Sequence, residues 1–256
     1  MEQTVRKALL LIEALSSSRD PRRLTDLSRQ MGLTKPNVYR LLSTLCELGY
    51  AQKDPVSSQY APTLKLWEMG SRLVQDIDLV AVAHPRLRKL CEDTGESVQL
   101  TVFDAGFAVY VDKVDSEQPI KATTNIGTRV PATAISTGKA MLAWMPAEAL
   151  DLAIANLKRF TPSTHMNRKE IEADLERTRA RGYAVNAGEY RGGVCGVGFP
   201  IRDRMGTVIA AIGIWGAEEN ILGPRKEALV QMGAESAREI SYWMGYIAPE
   251  AATPKP

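Results

Sequence analysis

Two short amphipathic segments separated by a tight turn, within residues 22–60, constrain the fold more than any other part of this sequence. In the first, Leu27 and Met31 lie four positions apart and share one helix face, with Thr25 as the expected N-cap. Gly32 can adopt the positive φ that ends a helix. The pattern predicts a helix and a turn, with a second helix beyond the turn.

The second segment begins after Thr34, another favourable N-cap. Its inward stripe, at helical spacing, consists of Val38, Leu41, Leu42 and Leu45. The opposite face is polar and carries the cations of Lys35 and Arg40. A helix-turn-helix presents such a face to the major groove of DNA. The alternative is an ordinary helical hairpin whose polar face is merely solvated.

A short β-hairpin is predicted directly after this helix. Residues 50–53 and 59–62 flank the turn-forming run at 54–58, and a hairpin in this place turns a helix-turn-helix into a winged one. We expect Lys53, Ser57 and Ser58 to contact DNA phosphates, which contribute affinity and register. The alternative is a plain exposed hairpin.

Charge and cysteine content suit a cytoplasmic nucleic-acid-binding protein. The first 65 residues hold ten Lys or Arg against six Asp or Glu, whereas the remainder holds 22 against 24. The three cysteines are widely spaced and form neither a disulfide framework nor a CxxC metal motif. No apolar run approaches the roughly 18 to 20 residues of a membrane helix, and the N-terminus lacks the pattern of a secretory signal. We therefore expect no metal and no membrane contact.

Helical spacing also precedes and follows the winged segment. A first amphipathic helix is predicted with Val5, Ala8, Leu9, Ile12 and Leu15 on one stripe. The predicted domains are a DNA-binding domain at 1–62, a linker helix at 63–76, an effector-binding and oligomerisation domain at 77–250 and a disordered tail at 251–256.

From Ser97 the apolar period becomes that of strands. Two strands flank a turn at 104–106, and further strands are expected at 120–127, 183–186, 194–202 and 207–215. Helices are predicted with Ser136 and Asn167 as N-caps, and a last helix with Pro224 at its first position, ending near Tyr246. About five or six strands with helices on the sheet faces make this an α+β domain.

Three stretches of the chain resemble the IclR family of bacterial transcriptional regulators. LTKPNVYRLLSTLCELGY resembles the family's recognition helix, GTRVPATAISTGKAMLA its pocket loop and helix, and FTPSTHMNRKEIEADLERTRARGYAVNAGEY its FTP loop and following helix–strand junction. The resemblance covers about residues 4–245. It implies a GAF-like effector domain, dimers that pair into tetramers, and a palindromic operator near the promoter of a catabolic operon.

The same resemblance assigns roles on the second helix. It implies that Lys35, Asn37, Tyr39 and Arg40 face DNA, and the polar stripe adds Ser43. Arg40 stands where the family usually has Arg, whereas Pro36 and Asn37 replace the commoner Ser and Thr. We expect Asn37 or Arg40 to contact base edges and Lys35 to hold a phosphate.

The resemblance further implies a ligand pocket where the helix start at Ser136 meets the sheet, with N–H groups suited to a carboxylate. The predicted ligand-binding residues are Ala122, Ser136, Thr137, Asn186, Cys195, Gly196, Gly213 and Trp215. Asn186, Gly196, Gly213 and Trp215 depart from the Asp, Cys and Ser residues found where relatives bind small oxo-acids. The departures favour a larger or more apolar effector, first an aromatic acid. Alternatively, Trp215 is a core strand residue.

Enzyme functions find little support in the sequence. The run Gly138-Lys139-Ala140 lacks the flanking Gly and Ser or Thr of a P-loop, and residues 192–198 lack a dinucleotide fingerprint. A thiol hydrolase using Cys195 and His165 has nothing to hold the base beside the nucleophile, and Cys195 is expected to act as a small hydrophobe. No catalytic residue and no cofactor is predicted.

Two classes of binding protein remain. One is an effector-controlled transcriptional repressor or activator, in which ligand binding is linked to operator affinity. The other is a ligand-binding scaffold whose N-terminal helices serve dimerisation. A dimerisation helix would carry leucines where residues 35–43 carry polar groups and cations.

Overall fold

The computed structural model describes residues 3–18, 20–69, 79–117 and 125–247. The chain divides into two compact units, residues 1–77 and 78–256. Residues 65–69 are helical and residues 63–64 are not, while residues 70–76 of the expected linker helix lie outside the described residues, as does the tail at 251–256. The finer domain boundaries stay predictions.

The first unit is a winged helix-turn-helix, as predicted. Its elements are α1 (Gln3–Ser16), α2 (Leu24–Met31), α3 (Lys35–Glu47), β1 (Ala51–Lys53) and β2 (Tyr60–Pro62). Gly32 ends α2 with φ +61°, and β1 pairs with β2 in antiparallel register. One apolar cluster joins the three helices to the hairpin, and its fully buried members are Leu11, Leu27, Val38 and Leu42.

Two local expectations for this unit were wrong, and a third was met in position only. Arg23, and not Thr25, is the N-cap of α2, because Arg22 pairs with Tyr60 as a β-bridge and the helix starts directly after it. Thr34 is the N-cap residue of α3, as predicted, but its side chain makes no capping hydrogen bond. The predicted stripe of α1 is only partly buried: Val5 and Leu9 are more than half exposed, because α1 packs on α2, α3 and β2 through Leu11, Ala14 and Leu15 near its C-terminal end.

The second unit is the expected α+β domain, built on one antiparallel sheet. Its strand order is β5-β4-β3-β8-β7-β6. The strands are β3 (Ser97–Asp104), β4 (Phe107–Val114), β5 (Arg129–Pro131), β6 (Ala184–Ala187), β7 (Val194–Arg202) and β8 (Val208–Ala217). The helices are α4 (Leu79–Thr94), α5 (Ser136–Leu142), α6 (Ala147–Ile154), α7 (Arg168–Arg181), α8 (Glu218–Ile221) and α9 (Lys226–Trp243), with a 3₁₀ turn at Ala132–Ala134.

The two faces of this sheet carry different helices. Alternate residues of a strand point to opposite faces, and Cys195, Val197 and Phe199 of β7 join the large apolar cluster formed with α4 and α9. The intervening residues Gly196 and Gly198 face α5. None of the helices in the described ranges is long and apolar enough to cross a membrane.

Several element boundaries differ from the sequence-based expectations. Ser136 is the first residue of α5 rather than its N-cap, which is Ile135. Helix α9 starts at Lys226 and ends at Trp243, so Pro224 precedes it. The structure adds β5 and α8, which were not predicted, because short elements carry too few residues to show a period. Of the strand expected at 120–127, residues 120–124 lie outside the described residues and 125–127 are not strand.

Glycines let α5 lie unusually close to its neighbours. A Cβ atom at Gly138 would come within 2.1 Å of the carbonyl oxygen of Ala132, and one at Gly198 within 2.5 Å of the Ser136 backbone. A Cβ at Gly213 would lie 2.6 Å from Cγ2 of Thr137. These distances are below van der Waals contact, so only glycine permits this approach of helix and sheet.

We expect Gly198→Ala to destabilise the protein, because the added methyl meets backbone atoms that cannot rotate away. Overpacking of this kind costs about 1–3 kcal/mol, measurable as a lower midpoint in urea unfolding. Gly192→Ala is the matched control, since a Cβ there has no atom within 4 Å. Equal midpoints for the two variants would contradict the tight packing of α5.

Candidate functional site

The outward face of α3 is an exposed, cation-bearing surface. Lys35, Tyr39, Arg40 and Ser43 are exposed, and Asn37 is half-buried. The inward residues Val38, Leu42 and Leu45 are buried, so packing fixes which side of the helix meets solvent. The Nη2 atom of Arg40 donates a hydrogen bond to Oδ1 of Asn37 over 2.9 Å. The residues expected to face DNA therefore lie together on one accessible face.

The tip of the wing is ordered by Asp54. Its Oδ1 atom accepts hydrogen bonds from the backbone N–H groups of Val56 at 3.0 Å and Ser57 at 2.6 Å. These hydrogen bonds hold the pKa of the Asp54 carboxyl below its ordinary value, and the bond from Ser57 has the larger effect. Lys53, Ser57 and Ser58 are all exposed on this hairpin, where they remain predicted phosphate contacts.

A cavity of about 130 Å³ lies between the start of α5 and the sheet of the second unit. This volume is comparable to that of engineered cavities of about 150 Å³ that accept benzene. Its lining comprises Gln99, Tyr110, Thr128, Ile135, Ser136, Asn186, Tyr190, Arg191, Val194, Cys195, Gly196 and Trp215. Three aromatic side chains and several polar groups thus surround a space large enough for one ring.

The structure brings five of the eight predicted ligand-binding residues to this cavity. Ser136, Asn186, Cys195, Gly196 and Trp215 line it. Thr137 and Gly213 do not, because they pack against each other below α5. Ala122 lies outside the described residues.

Asn186 has a structural role in this wall. Its Nδ2 atom donates to the carbonyl oxygen of Ala134, and its Oδ1 atom accepts from the N–H group of Gly188 at 3.1 Å. The amide therefore ties β6 to the turn before α5, and both of its ends already have protein partners.

Gln99 and Ser136 differ from Asn186 in this respect. Both are at least 95% buried, at 5% and 3% exposure. Within the described parts of the chain, neither side chain forms a hydrogen bond, although buried polar groups normally have a partner. Arg191 is exposed and likewise pairs with no carboxylate there. These three groups are available to a ligand. Gln99 and Tyr110 were not predicted, since only the order of the sheet brings β3 and β4 to the same cavity as β7 and β8. Tyr190 and Arg191 were not predicted either, because they lie in the connection between β6 and β7, which has no periodic pattern.

Trp215 and Cys195 take different roles in the wall. Trp215 is 8% exposed and belongs to none of the four apolar clusters found among the described residues. Its indole therefore does not serve those cores. The Cys195 side chain does belong to the cluster beneath the sheet. Burial, with the nearby carboxylates of Glu218 and Glu189, raises the pKa of its thiol to about 11. Such a thiol stays protonated at neutral pH and is no nucleophile.

A buried ion cluster lies on the same helix and loop that contribute Ser136 and Tyr190 to the cavity wall. The ammonium of Lys139, 1% exposed, lies 2.7 Å from Oδ2 of Asp174 and 2.8 Å from Oε1 of Glu189. Burial would raise the pKa of Asp174, but the charge and hydrogen bond of Lys139, with help from Arg177 and Arg181, hold it below the ordinary value. One cation on α5 thus joins α7 to the segment that follows β6.

The same cluster fixes the segment that carries Tyr190 and Arg191. The backbone carbonyl of Glu189 accepts a 2.6 Å hydrogen bond from Oγ1 of Thr164, and that of Gly188 accepts one of 2.8 Å from Thr161. The ring of Tyr190 packs edge-to-face on Phe160, with centroids 4.8 Å apart. The loop at 160–164 therefore supports the cavity wall from outside.

His165 has no metal-spaced partner along the sequence, yet folding brings one potential ligand atom each of His165, Asp174 and Glu189 within 4.8 Å of one another. The Lys139 ammonium already neutralises two of these three groups at hydrogen-bond distance. A metal ion would have to displace this buried cation, so the geometry favours an internal salt bridge over a metal site.

The winged helix with its exposed basic face and the α+β unit with its small cavity define a class of protein, a DNA-binding regulator with a ligand-sensing domain. The profile of "IclR helix-turn-helix domain" matches residues 4–55, and that of "Bacterial transcriptional regulator IclR C-terminal" matches residues 71–242. The chain belongs to the IclR family of bacterial transcriptional regulators. This family is non-enzymatic, as expected from the sequence.

Individual relatives agree with this assignment. The chain is 33% identical to the HTH-type transcriptional regulator KdgR of Dickeya chrysanthemi over 245 residues, 95% of this chain and 80% of the relative. Among solved structures, IclR of Thermotoga maritima is 30% identical with a TM-score of 0.77, covering 95% of this chain and 99% of the relative. An IclR homolog of Microbacterium hydrocarbonoxydans in complex with 4-hydroxybenzoate shares the fold, with a TM-score of 0.83 at 21% identity over 94% of this chain and 98% of that chain.

We expect Lys139→Met to destabilise the protein strongly, because it leaves two buried carboxylates without their cation. Removing one partner of a buried pair costs about 3–5 kcal/mol, which urea unfolding at neutral pH would measure. Lys89→Met is the control, since Lys89 pairs with Asp93 at the surface with 75% of its side chain exposed, where such a pair contributes at most about 1 kcal/mol.

The pH dependence of this loss has a definite sign. In the wild type the pKa of Asp174 is held below its ordinary value in the folded state, so the stability that this carboxylate contributes is lost only as the pH falls below about 4. In the variant, burial without a cation raises the carboxyl pKa values, so acid relieves the unpaired charges. The difference in the free energy of unfolding between the wild type and Lys139→Met should therefore become smaller from pH 7 toward about pH 4. A difference that is constant over this range would contradict the role of Lys139.

Proposed function

We propose that this protein regulates transcription by binding a palindromic operator through α3 and the wing, under control of a small aromatic acid bound in the cavity beside α5. The observation that carries the DNA-binding part is the exposed face of α3, with two cations and no acidic residue between positions 27 and 46. Such a face suits phosphate neutralisation together with base contacts. Its polar, exposed character also speaks against a scaffold that dimerises through this helix.

The roles of individual side chains follow from their chemistry. In this proposal Arg40 donates to base edges in the major groove, and Lys35 and Ser43 contact phosphates with Lys53, Ser57 and Ser58 of the wing. Tyr39, 52% exposed, packs against the backbone of the duplex. Action as a homodimer, or as a pair of dimers, would match the two halves of a palindrome. The family resemblance favours this assembly and a cytoplasmic location.

An aromatic carboxylate fits the chemistry of the cavity wall. Tyr110, Tyr190 and Trp215 offer ring faces and edges for stacking. Arg191, which pairs with no carboxylate of the described residues, offers its guanidinium for the carboxylate of a ligand, a charge-assisted interaction. The buried amide of Gln99 and hydroxyl of Ser136 are left to bond a further polar substituent. The 4-hydroxybenzoate held by the homolog from Microbacterium hydrocarbonoxydans is a compound of this type.

Control of operator binding would follow from linkage. An effector with different affinities for the DNA-bound and free states changes operator affinity by the ratio of those affinities. Repression or activation then depends on where the operator lies relative to its promoter.

For the DNA-binding part, we expect Arg40→Ala to lose most retention of a selected operator in gel shifts at protein concentrations that just saturate the wild type, with weaker binding measurable at higher concentrations. Loss of one bidentate base contact costs about 1–3 kcal/mol. Because Arg40 is exposed, thermal unfolding should not change. Arg204→Ala removes the same charge from an exposed turn of the second unit and should bind normally. Unchanged gel-shift affinity of Arg40→Ala would count against the proposed readout.

For the effector part, a thermal-shift screen of the full chain should show stabilisation by benzoate-type acids that grows as ln(1 + [L]/Kd). Short oxo-acids, which leave most of the aromatic wall uncontacted, should have little effect. Replacing Arg191 by Gln should weaken binding by about tenfold or more, since bonds to charged groups contribute about 1.5–3 kcal/mol. Arg204→Gln serves as the control. Stabilisation by short oxo-acids alone would show that the aromatic wall does not select the effector.

A further inference from the structure

Asn37 and Arg40 form a pair on the exposed face of α3. They are three residues apart, so they are neighbours on the helix surface. The Oδ1 atom of Asn37 accepts a hydrogen bond from Nη2 of Arg40 at 2.9 Å. Within the described ranges, Arg40 has no carboxylate partner. Its guanidinium is thus oriented by a neutral group and keeps its full charge for DNA.

This hydrogen bond restricts which DNA base the Asn37 side chain can recognise. An Asn side chain recognises adenine by accepting from N6 through Oδ1 and donating to N7 through Nδ2. Here Oδ1 is engaged by Arg40, and a base brought to that oxygen would meet the guanidinium. Asn37 is also only half-exposed, whereas Arg40 is exposed. Adenine readout by Asn37 would require the pair to separate.

The bond leaves Arg40 well suited to guanine. A guanidinium has five N–H donors in a fixed fork, and the bond to Asn37 uses one of them. Two donors remain for O6 and N7 of guanine, the commonest specific contact of Arg in the major groove. A long side chain held in one orientation before binding loses less rotamer entropy on contact.

We propose that Asn37 is a positioning residue for Arg40, and that the pair reads one guanine in each operator half-site while Asn37 reads no base of its own. This inference rests on the proposed DNA-binding function and adds the identity of the base. It also assigns a role to Asn37.

A double-mutant cycle with binding-site selection tests the pair. Wild type, Asn37→Ala, Arg40→Ala and the double variant are each used to select sites from random duplexes, and affinities are measured for the selected site and for single base-pair changes. We expect wild type to select one guanine per half-site and to lose about tenfold or more in affinity when that G·C is changed to A·T. Replacing guanine by 7-deazaguanine, which lacks the N7 acceptor, should also weaken wild-type binding.

For Asn37→Ala, the ratio of the affinities for G·C and for A·T at this position should fall to about threefold or less. Base preferences at the other positions should stay unchanged. Arg40→Ala should remove the discrimination, and adding Asn37→Ala to it should change nothing further, because Asn37 acts only through Arg40. Lys35→Ala is the control. Loss of a phosphate contact weakens the binding of all DNA sequences alike and reduces the slope of log Kd against log salt concentration by about one unit.

Other outcomes would overturn the inference. If Asn37→Ala relaxed an A·T position with or without Arg40, Asn37 would be an adenine reader. Uniform weakening at all sequences, as for Lys35→Ala, would make Asn37 a phosphate contact. A wild-type chain that selected no sequence would contradict the proposed function itself, and with it the pairing. Equal thermal stability of the four proteins would confirm that these differences are not due to unfolding.

Discussion

The second unit depends on the close approach of α5 to its sheet. Gly198 and Gly213 leave no side chain between the helix and the strands, and Gly138 leaves none between the helix and the turn at Ala132–Ala134, so any Cβ at these positions would overlap neighbouring atoms. The approach brings Ser136 to the cavity and carries Lys139 into the interior. Gly196 and Gly213 were both predicted to bind the ligand, but their positions differ. Gly213 allows α5 to lie close to the sheet, whereas Gly196 lines the cavity.

Burying Lys139 ties three separate segments of the chain together. Its ammonium pairs with Asp174 of α7 and with Glu189, whose backbone is also held by the loop at 160–164. Breaking such a buried pair is costly because each remaining charge is then unpaired in a medium of low polarity. The segment with Tyr190 and Arg191 is therefore held in place before any ligand arrives, which lowers the ordering cost of binding.

Periodic segments were predictable, and features that depend on distant contacts were not. The helices of the first unit, the hairpin at 104–106 and the capping of α7 by Asn167 follow from local spacing, and the structure has them. The exposure of Val5 and Leu9 was not predictable, because only part of α1 has neighbours to pack on. Likewise, Gln99 reaches the cavity only because β3 lies beside β8, and the salt bridges of Lys139 span 35 and 50 residues.

In the proposed mechanism, a ligand in the cavity and DNA on α3 influence each other's binding. The most direct test takes the acid that most stabilises the chain and measures its Kd with and without saturating operator, together with the Kd of the operator with and without the acid. Linkage requires both constants to change by the same factor, typically about 5–150-fold. The proposed linkage predicts equal factors within this range. An acid that binds in the cavity while the operator Kd stays unchanged would contradict it.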